Sequence, residues 1–253
     1  MKEPNIEEYT RLYIKERKKK YSFENILDEV RREQILISLE KYKPYSVLEV
    51  GCGMEPLFKY YNNYEKYVIV EPSRIFSHIA KSLAKNINKN IIIIEKKIEQ
   101  AYKELAKLKS FDYIILSSLL HEVPSPTKVL KIIHKLCNKD TIVIINVPNA
   151  NSFHRLLAFE ANIIRSIFEP SKTDLMFNRY TRFDKQLLFK LLDYNGFAIL
   201  NYWTYFIKPF SNEQMEKLLR LKIIDKKIIV GFKNMSKYLP DMGCEMFVEV
   251  KIK

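Results

Sequence analysis

The chain has 253 residues, 47% of them hydrophobic, and 43 Lys and Arg against 30 Asp and Glu give a formal charge of +13. That length suits one large α/β domain or two small ones, with ample material for a core. No apolar run approaches the ~20 residues that span a bilayer, and the charged start (MKEPNIEEYTRLYIKERKKK) lacks the apolar core of a signal peptide, so a cytoplasmic, soluble protein is expected.

In chain order, residues 21–41 carry Ile26, Val30, Ile35, Ile37 and Leu39 among charges and read as a helix. Pro44 breaks the chain, and the apolar run 47–50 ends at Gly51. A second strand, 67–70, ends at Glu71-Pro72; a helix over 76–85 and a strand over 91–94 follow. Then come a helix at 98–108, a strand at 113–116, a helix at 127–137 and a strand at 142–145. Short continuous apolar runs alternating with amphipathic helices are what a parallel sheet covered on both faces requires. The spacing predicts an open, doubly wound α/β sheet. The tail adds a helix at 187–194 stopped by Asn195-Gly196, a strand at 197–206, a helix at 211–221 capped by Ser211, and a last strand at 245–252.

The lysines are scattered, and only residues 15–20 (KERKKK) form a dense block, on an expected N-terminal helix. That pattern reads as a solvated surface ahead of a nucleic-acid patch, and leaves an anionic small substrate open. Cys52, Cys137 and Cys244 are isolated, which suits a reducing compartment and supplies neither a disulfide framework nor a metal site. His121-Glu122 begins like a zinc-protease helix, but Ser125 stands where the second histidine would fall, so no metal is expected.

In such a sheet ligands bind beyond the carboxyl ends of the strands. After the first strand come Glu49, Gly51, Cys52 and Gly53, where glycines let the backbone approach a ligand and turn tightly. After the second comes Glu71, about twenty residues on, at the spacing where a carboxylate accepts bonds from ribose hydroxyls. A dinucleotide loop would want Gly or Ala where this chain has Pro56.

VLEVGCG (47–53) resembles the first motif of class I S-adenosylmethionine-dependent methyltransferases, and VIVEPS resembles their second. FDYIILSSLLHEV resembles their fourth-strand motif, TIVIINVPNANSFHRLL the fifth strand with its loop, and LLFKLLDYNGFAI the helix and sixth strand. The match runs over 45–206 in the family's order. The resemblance implies a mostly parallel seven-stranded sheet with an antiparallel last strand, a Rossmann-like methyltransferase fold over 1–253. Residues 1–44 would form an N-terminal helical cap and 149–186 a helical lid insertion. It implies S-adenosylmethionine as cofactor and S-adenosylhomocysteine as product. Glu49, Gly51, Cys52 and Gly53 would lie at the cofactor loop, Glu71 and Pro72 at the ribose, Lys97 and Ile98 at the adenine, and Ser117 at the methionine end. The family's third loop glycine is replaced by Glu55, which the loop must accommodate, with the carboxylate pointing outward as one solution.

An oxygen or amine acceptor gains from a nearby base, and a histidine titrates in the right range. His121 follows the fourth strand and His154 the fifth, so both are candidates; each is weighed against a structural role capping a helix or bonding a carbonyl. The fourth-strand motif reads Ser117-Ser118-Leu119-Leu120 where amino-methylating enzymes of nucleic-acid bases have Asp/Asn-Pro-Pro-aromatic, which argues against that class. The segment 149–182 interleaves Arg155, Arg165, Arg179 and Arg182 with Phe153, Phe159, Phe168, Phe177 and Tyr180. Arginine forks grip phosphate or carboxylate. Asn149, Asn151, Arg155, Arg179, Tyr180 and Arg182 are therefore candidates for a small anionic acceptor. NVPNANSFHRLL and NRYTRF resemble small-molecule methyltransferases of bacterial surface-polysaccharide synthesis, with a likeness to those of capsule methyl-phosphoramidate pathways. The resemblance implies O-methylation of a sugar, nucleotide-sugar or phosphoryl compound. RNA methylation and a non-catalytic partner subunit are the competing readings, and the intact Gly51, Gly53 and Glu71 argue against the subunit.

Overall fold

The computed structural model describes residues 5–108, 110–177 and 179–253. Residues 1–4 of the expected cap and Asn178 of NRYTRF lie outside the described residues. Seven strands, β1 (Ser46–Val50), β2 (Lys66–Val70), β3 (Asn90–Ile94), β4 (Tyr113–Ser117), β5 (Ile142–Pro148), β6 (Phe197–Tyr205) and β7 (Glu245–Ile252), form one sheet in the order β3-β2-β1-β4-β5-β7-β6. β1–β5 pair in parallel, and β7 runs antiparallel between β5 and β6. This is the doubly wound sheet that the spacing predicts, with the antiparallel last strand that the resemblance implies.

Ten helices accompany it among the described residues: α1 (Ile6–Arg17), α2 (Phe23–Tyr42), α3 (Arg74–Ala84), α4 (Ile98–Leu105), α5 (Pro126–Leu136), α6 (Phe153–Glu160), α7 (Lys172–Met176), α8 (Lys185–Tyr194), α9 (Asn212–Arg220) and α10 (Lys226–Asn234). Alternation along the strands divides the core in two. Leu48, Val50, Val68, Val70, Ile114 and Leu116 pack under α4, α5 and α8. Val47, Tyr67, Ile69, Tyr113 and Ile115 pack under α2 and α9, with Ala80 of α3.

Two local differences from the sequence reading have clear causes. The basic block 15–20 does not lie on one helix: α1 stops at Arg17, whose carbonyl accepts a bond from Asn25 Nδ2 (2.9 Å), and α2 starts after Ser22. The sequence pattern does not predict α10, because Gly231 interrupts it. Asp225 starts that helix by accepting the Ile228 N–H at 3.0 Å.

Candidate active site

Because β1, β2, β4 and β5 run parallel and β6 runs opposite to β7, the carboxyl ends of all five share one edge with the start of β7. The loop after β1 uses left-handed backbone at Gly51 (φ +81) and Gly53 (φ +57), a conformation that L side chains rarely adopt. Gly51 N donates to Val70 O (2.8 Å), tying this loop to β2.

Glu71 lies at the centre of that tie. It is buried, and its carboxylate accepts the Gly53 N–H at 3.2 Å and the Ser73 N–H at 2.8 Å. Burial pushes its carboxyl up to about 7, against the pull of those N–H groups. A carboxylate offers about four acceptor positions; the Gly53 and Ser73 N–H groups take two, and Cys52 also lies against the carboxylate.

Glu49 is placed differently. Strand alternation turns it to the α2 face, where its Oε2 accepts from Tyr67 Oη (2.9 Å) and Leu57 N (3.2 Å). Burial pushes it up to about 8. A carboxyl with its folded pKa above its unfolded one contributes stability fully present below about 4.5 and lost as pH rises through about 8. Thermal unfolding of the ligand-free protein should therefore show Tm falling across that window from this group, and Glu49→Gln should flatten the slope; an unchanged slope would refute the assignment.

Glu55, standing for the expected glycine, points outward. It meets Arg32 Nη1 at 3.0 Å, Lys59 Nζ at 3.2 Å and Tyr60 Oη. Cys52 is buried, Pro72 is half-buried, Lys97 caps α4 and Ile98 is buried at its first position. Ser117 ends β4 in register with Asn146.

The first helix, α1, lies over these loops. A Cβ built on Gly53 would meet Tyr13 Oη at 3.4 Å, and Thr10 Oγ1 lies 2.9 Å from Ser73 Oγ. Tyr9 Oη donates to Glu122 Oε2 (2.7 Å), and its ring meets Phe177 edge-on at 5.5 Å. So α1 spans the loops after β1, β2 and β4 and touches the segment 149–186.

His121 follows Ser118, whose backbone is left-handed (φ +53). Its carbonyl accepts from Tyr180 N (2.9 Å) and Thr181 N (3.4 Å). The side chain is buried at 2% exposure, Nε2 faces Glu122 Oε1 at 3.5 Å, and among the described residues Nδ1 has no hydrogen-bond partner. Burial holds its pKa below the usual value, opposed by Glu122. Asn146 Oδ1, on the same edge, is also buried without a partner among the described residues. His154 is further along the edge, with Nδ1 3.1 Å from Ser152 Oγ, and burial with the charges of Lys208 and Arg155 holds its pKa well down.

Three of the four arginines of 149–186, Arg155, Arg179 and Arg182, are engaged within the protein. Arg155 donates to Ile167 O (2.6 Å) and Glu169 O (2.5 Å). Arg179 Nε donates to Glu122 Oε1 (3.1 Å), and Arg182 Nη2 pairs with Asp174 at 2.9 Å. Arg165 is exposed; of the aromatics Phe177 is buried while Phe159 and Phe168 are exposed. Asn149 holds Gly243 O (2.9 Å) and Asp241 O (3.1 Å), and its Oδ1 accepts the Asn151 N–H (2.9 Å). The segment is thus locked by its own polar groups, with Tyr180 joining it to His121 through the backbone.

Sequence reasoning missed four contributors to this edge: Tyr9 and Tyr13 of α1, Glu122, and Lys208, which stands just beyond β6. Inspecting the residues past the carboxyl end of β6, as for the other strands, would have found Lys208.

A family model described as a methyltransferase domain matches residues 11–201. The chain belongs to this methyltransferase family. Family and fold together make S-adenosylmethionine the methyl donor and S-adenosylhomocysteine the product. No curated protein matches the sequence significantly. Among solved structures, the chain is similar to the N-methyltransferase NodS from Bradyrhizobium japonicum WM9 in complex with S-adenosyl-L-homocysteine (9% identity, TM-score 0.59, covering 97% of this chain and 98% of that one). It is also similar to the plantazolicin methyltransferase BamL in complex with a triazolic desmethylPZN analog (15%, TM-score 0.59, 96% and 89%). A third is a SAM-dependent methyltransferase from Archaeoglobus fulgidus (18%, TM-score 0.52, 88% and 94%). Among the described residues no helix is long and apolar enough to cross a membrane, and no group of His, Cys, Asp and Glu could hold a metal ion.

Proposed function

We propose that this methyltransferase methylates an oxygen of a small anionic acceptor, with His121 as the base that takes the acceptor's proton. The observation that carries this is His121 itself, buried on the carboxyl edge with Nδ1 unpartnered among the described residues and Nε2 facing the Glu122 carboxylate at 3.5 Å. Burying a polar group without a partner costs free energy, so a ring left in this state is matched to a ligand, and its depressed pKa keeps it neutral and able to accept a proton near neutral pH. The bound donor supplies an electrophilic methyl on a sulfonium sulfur. The protein's share is to position, desolvate and remove the proton.

The residues fit that donor. The left-handed glycines bring backbone close, and Glu71 is assigned to the ribose hydroxyls beside Pro72. Lys97 and Ile98 are assigned to the adenine side, Ser117 and the Cys52 turn to the methionine side, and Glu49 supports the loop from beneath. Residues 1–44 act as a cap and 149–186 as a lid on one methyltransferase domain. Their mutual contacts through Tyr9, Phe177 and His121 enclose the edge, which favours a small acceptor. The resemblance to surface-polysaccharide methyltransferases supports a sugar, nucleotide-sugar or phosphoryl compound of capsule or surface-glycan synthesis.

Incubation with S-adenosylmethionine and panels of nucleotide-sugars, phosphorylated sugars and RNA, read by mass spectrometry, tests this. A methyl gain on an anionic small molecule is expected, and a gain confined to RNA overturns the reading. Glu71→Ala should weaken S-adenosylhomocysteine binding by about 1–3 kcal/mol in calorimetry; unchanged affinity would remove Glu71 from the ribose site.

A further inference from the structure

Lys208 is a buried cation of the carboxyl edge that meets no carboxylate among the described residues. Its neighbours differ: Arg31 has Glu245, and Arg179 has Glu122. Lys208 is 6% exposed and follows Phe206, whose left-handed backbone (φ +61) turns the chain at the end of β6. Its Nζ donates to a neutral acceptor, Asn212 Oδ1, and stands 5.7 Å from the centre of the Phe23 ring. Asn212 in turn donates to Glu24, whose charge is already matched by Arg17 at 3.3 Å.

An ammonium carries three donors, and among the described residues only one of them is used on this buried group, a costly arrangement for a charge that serves packing alone. Neighbouring charges act on it from several elements: Glu24, Glu245 and Cys244 favour its protonation, while Arg155 opposes it, and burial opposes it most. It also lies beside the first turn of α9, where a helix start favours negative charge. The arginines that the sequence offers for an anion are meanwhile engaged with lid carbonyls, Glu122 and Asp174.

We propose that Lys208 holds a phosphoryl group of the acceptor at the β6 end of the edge. This rests on the reading of that edge as the acceptor site. A phosphoryl group would accept from the N–H groups left unused among the described residues and supply the missing counter-charge, as phosphates do for lysine elsewhere.

Calorimetric titration with inorganic phosphate, and with acetate as a carboxylate control, tests this on the full chain with and without S-adenosylhomocysteine. The unmodified protein should bind phosphate in preference to acetate. Lys208→Met should weaken phosphate at least about 10-fold, the loss of a charged hydrogen bond, with S-adenosylhomocysteine affinity unchanged, and Lys208→Arg should retain binding. If the methionine variant does not fold, Lys208→Gln keeps a polar partner for Asn212 without the charge and should show the same loss. Absent phosphate binding, or equal binding by the neutral variant, overturns the proposal, and equal binding of acetate overturns the phosphoryl assignment. An unmodified protein that binds S-adenosylhomocysteine but no phosphate would sink this proposal alone. Phosphate bound without any S-adenosylhomocysteine binding would instead sink the methyl-transfer reading.

Discussion

Replacing His121 with alanine is expected to lower turnover by between about a hundredfold and ten-thousandfold, the usual worth of a positioned base. Affinity for S-adenosylhomocysteine should stay the same, because the proposed cofactor contacts come mainly from the loops after β1, β2 and β3. The ring's polar contact in the described structure is the 3.5 Å approach of Nε2 to Glu122, which keeps Tyr9 and Arg179 without it, so the protein should fold. The pH profile distinguishes a base from a packing residue. Burial sets the folded pKa of His121 below the usual 6.5, so the acid limb of the rate should lie below that value and disappear in the variant. The same shift has a stability consequence of defined sign. The unfolded chain binds the proton more readily, so stability falls as pH drops through about 6.5 towards the folded pKa, and is unaffected above it. Full activity of the alanine variant, or an unmoved acid limb, would remove His121 from the mechanism.

Arg31→Ala is expected to cost about 3–5 kcal/mol of folding stability, the typical penalty for stranding a buried charge. Arg31 of α2 reaches Glu245, at the first position of β7, through Nε at 2.9 Å and Nη2, and Asp28 through Nη1 at 2.8 Å. The two side chains are 12% and 4% exposed, so solvent screens the pair weakly. Burial pushes Glu245 up, but the charge and hydrogen bonds of Arg31 outweigh it and hold the carboxyl below its ordinary value. Its stabilisation is present above about 4.5 and lost as pH falls through the lower folded pKa. Without Arg31 the carboxylate keeps the Tyr205 hydroxyl at 2.8 Å and no matching charge on that side. Thermal unfolding should show a drop on the order of 10 °C. The double variant with Glu245→Ala should recover part of it, because the uncompensated charge goes too. A loss under about 1 kcal/mol would show that the pair is dispensable.

Much of the fold was legible because its signals are local. The apolar runs of β1 to β4 and the closing strand β7 lie within a residue of their expected bounds, since burial on both faces leaves unbroken apolar stretches. β5 runs three residues past its expected end, to Pro148, because β7 pairs with it up to Glu245, a contact that no local pattern announces. Ser211 was readable as a cap from its own position and does accept the Gln214 N–H. The first helix could not be placed from composition: its basic end drew attention, whereas Tyr9, Thr10 and Tyr13 make its contacts with the edge.

The sequence by itself determined the order of the strands and of most helices, the placement of Gly51, Gly53 and Glu71 just past the ends of β1 and β2, and the methyltransferase resemblance. All of these depend on short-range spacing, on tight turns and on strand ends. The tertiary structure alone decided which polar groups are already engaged. Arg155, Arg179 and Arg182 look like free anion forks in the sequence, yet carbonyls and carboxylates elsewhere in the chain occupy them. His121 is only one of two candidate bases in the sequence and Lys208 looks ordinary, yet burial strips both of water and leaves them short of partners. Lys208 joins the edge only because β7 inserts antiparallel between β5 and β6 and thereby makes β6 run parallel to β5. Hydrogen-bond satisfaction is a property of three-dimensional neighbours, so residue type and spacing cannot encode it locally.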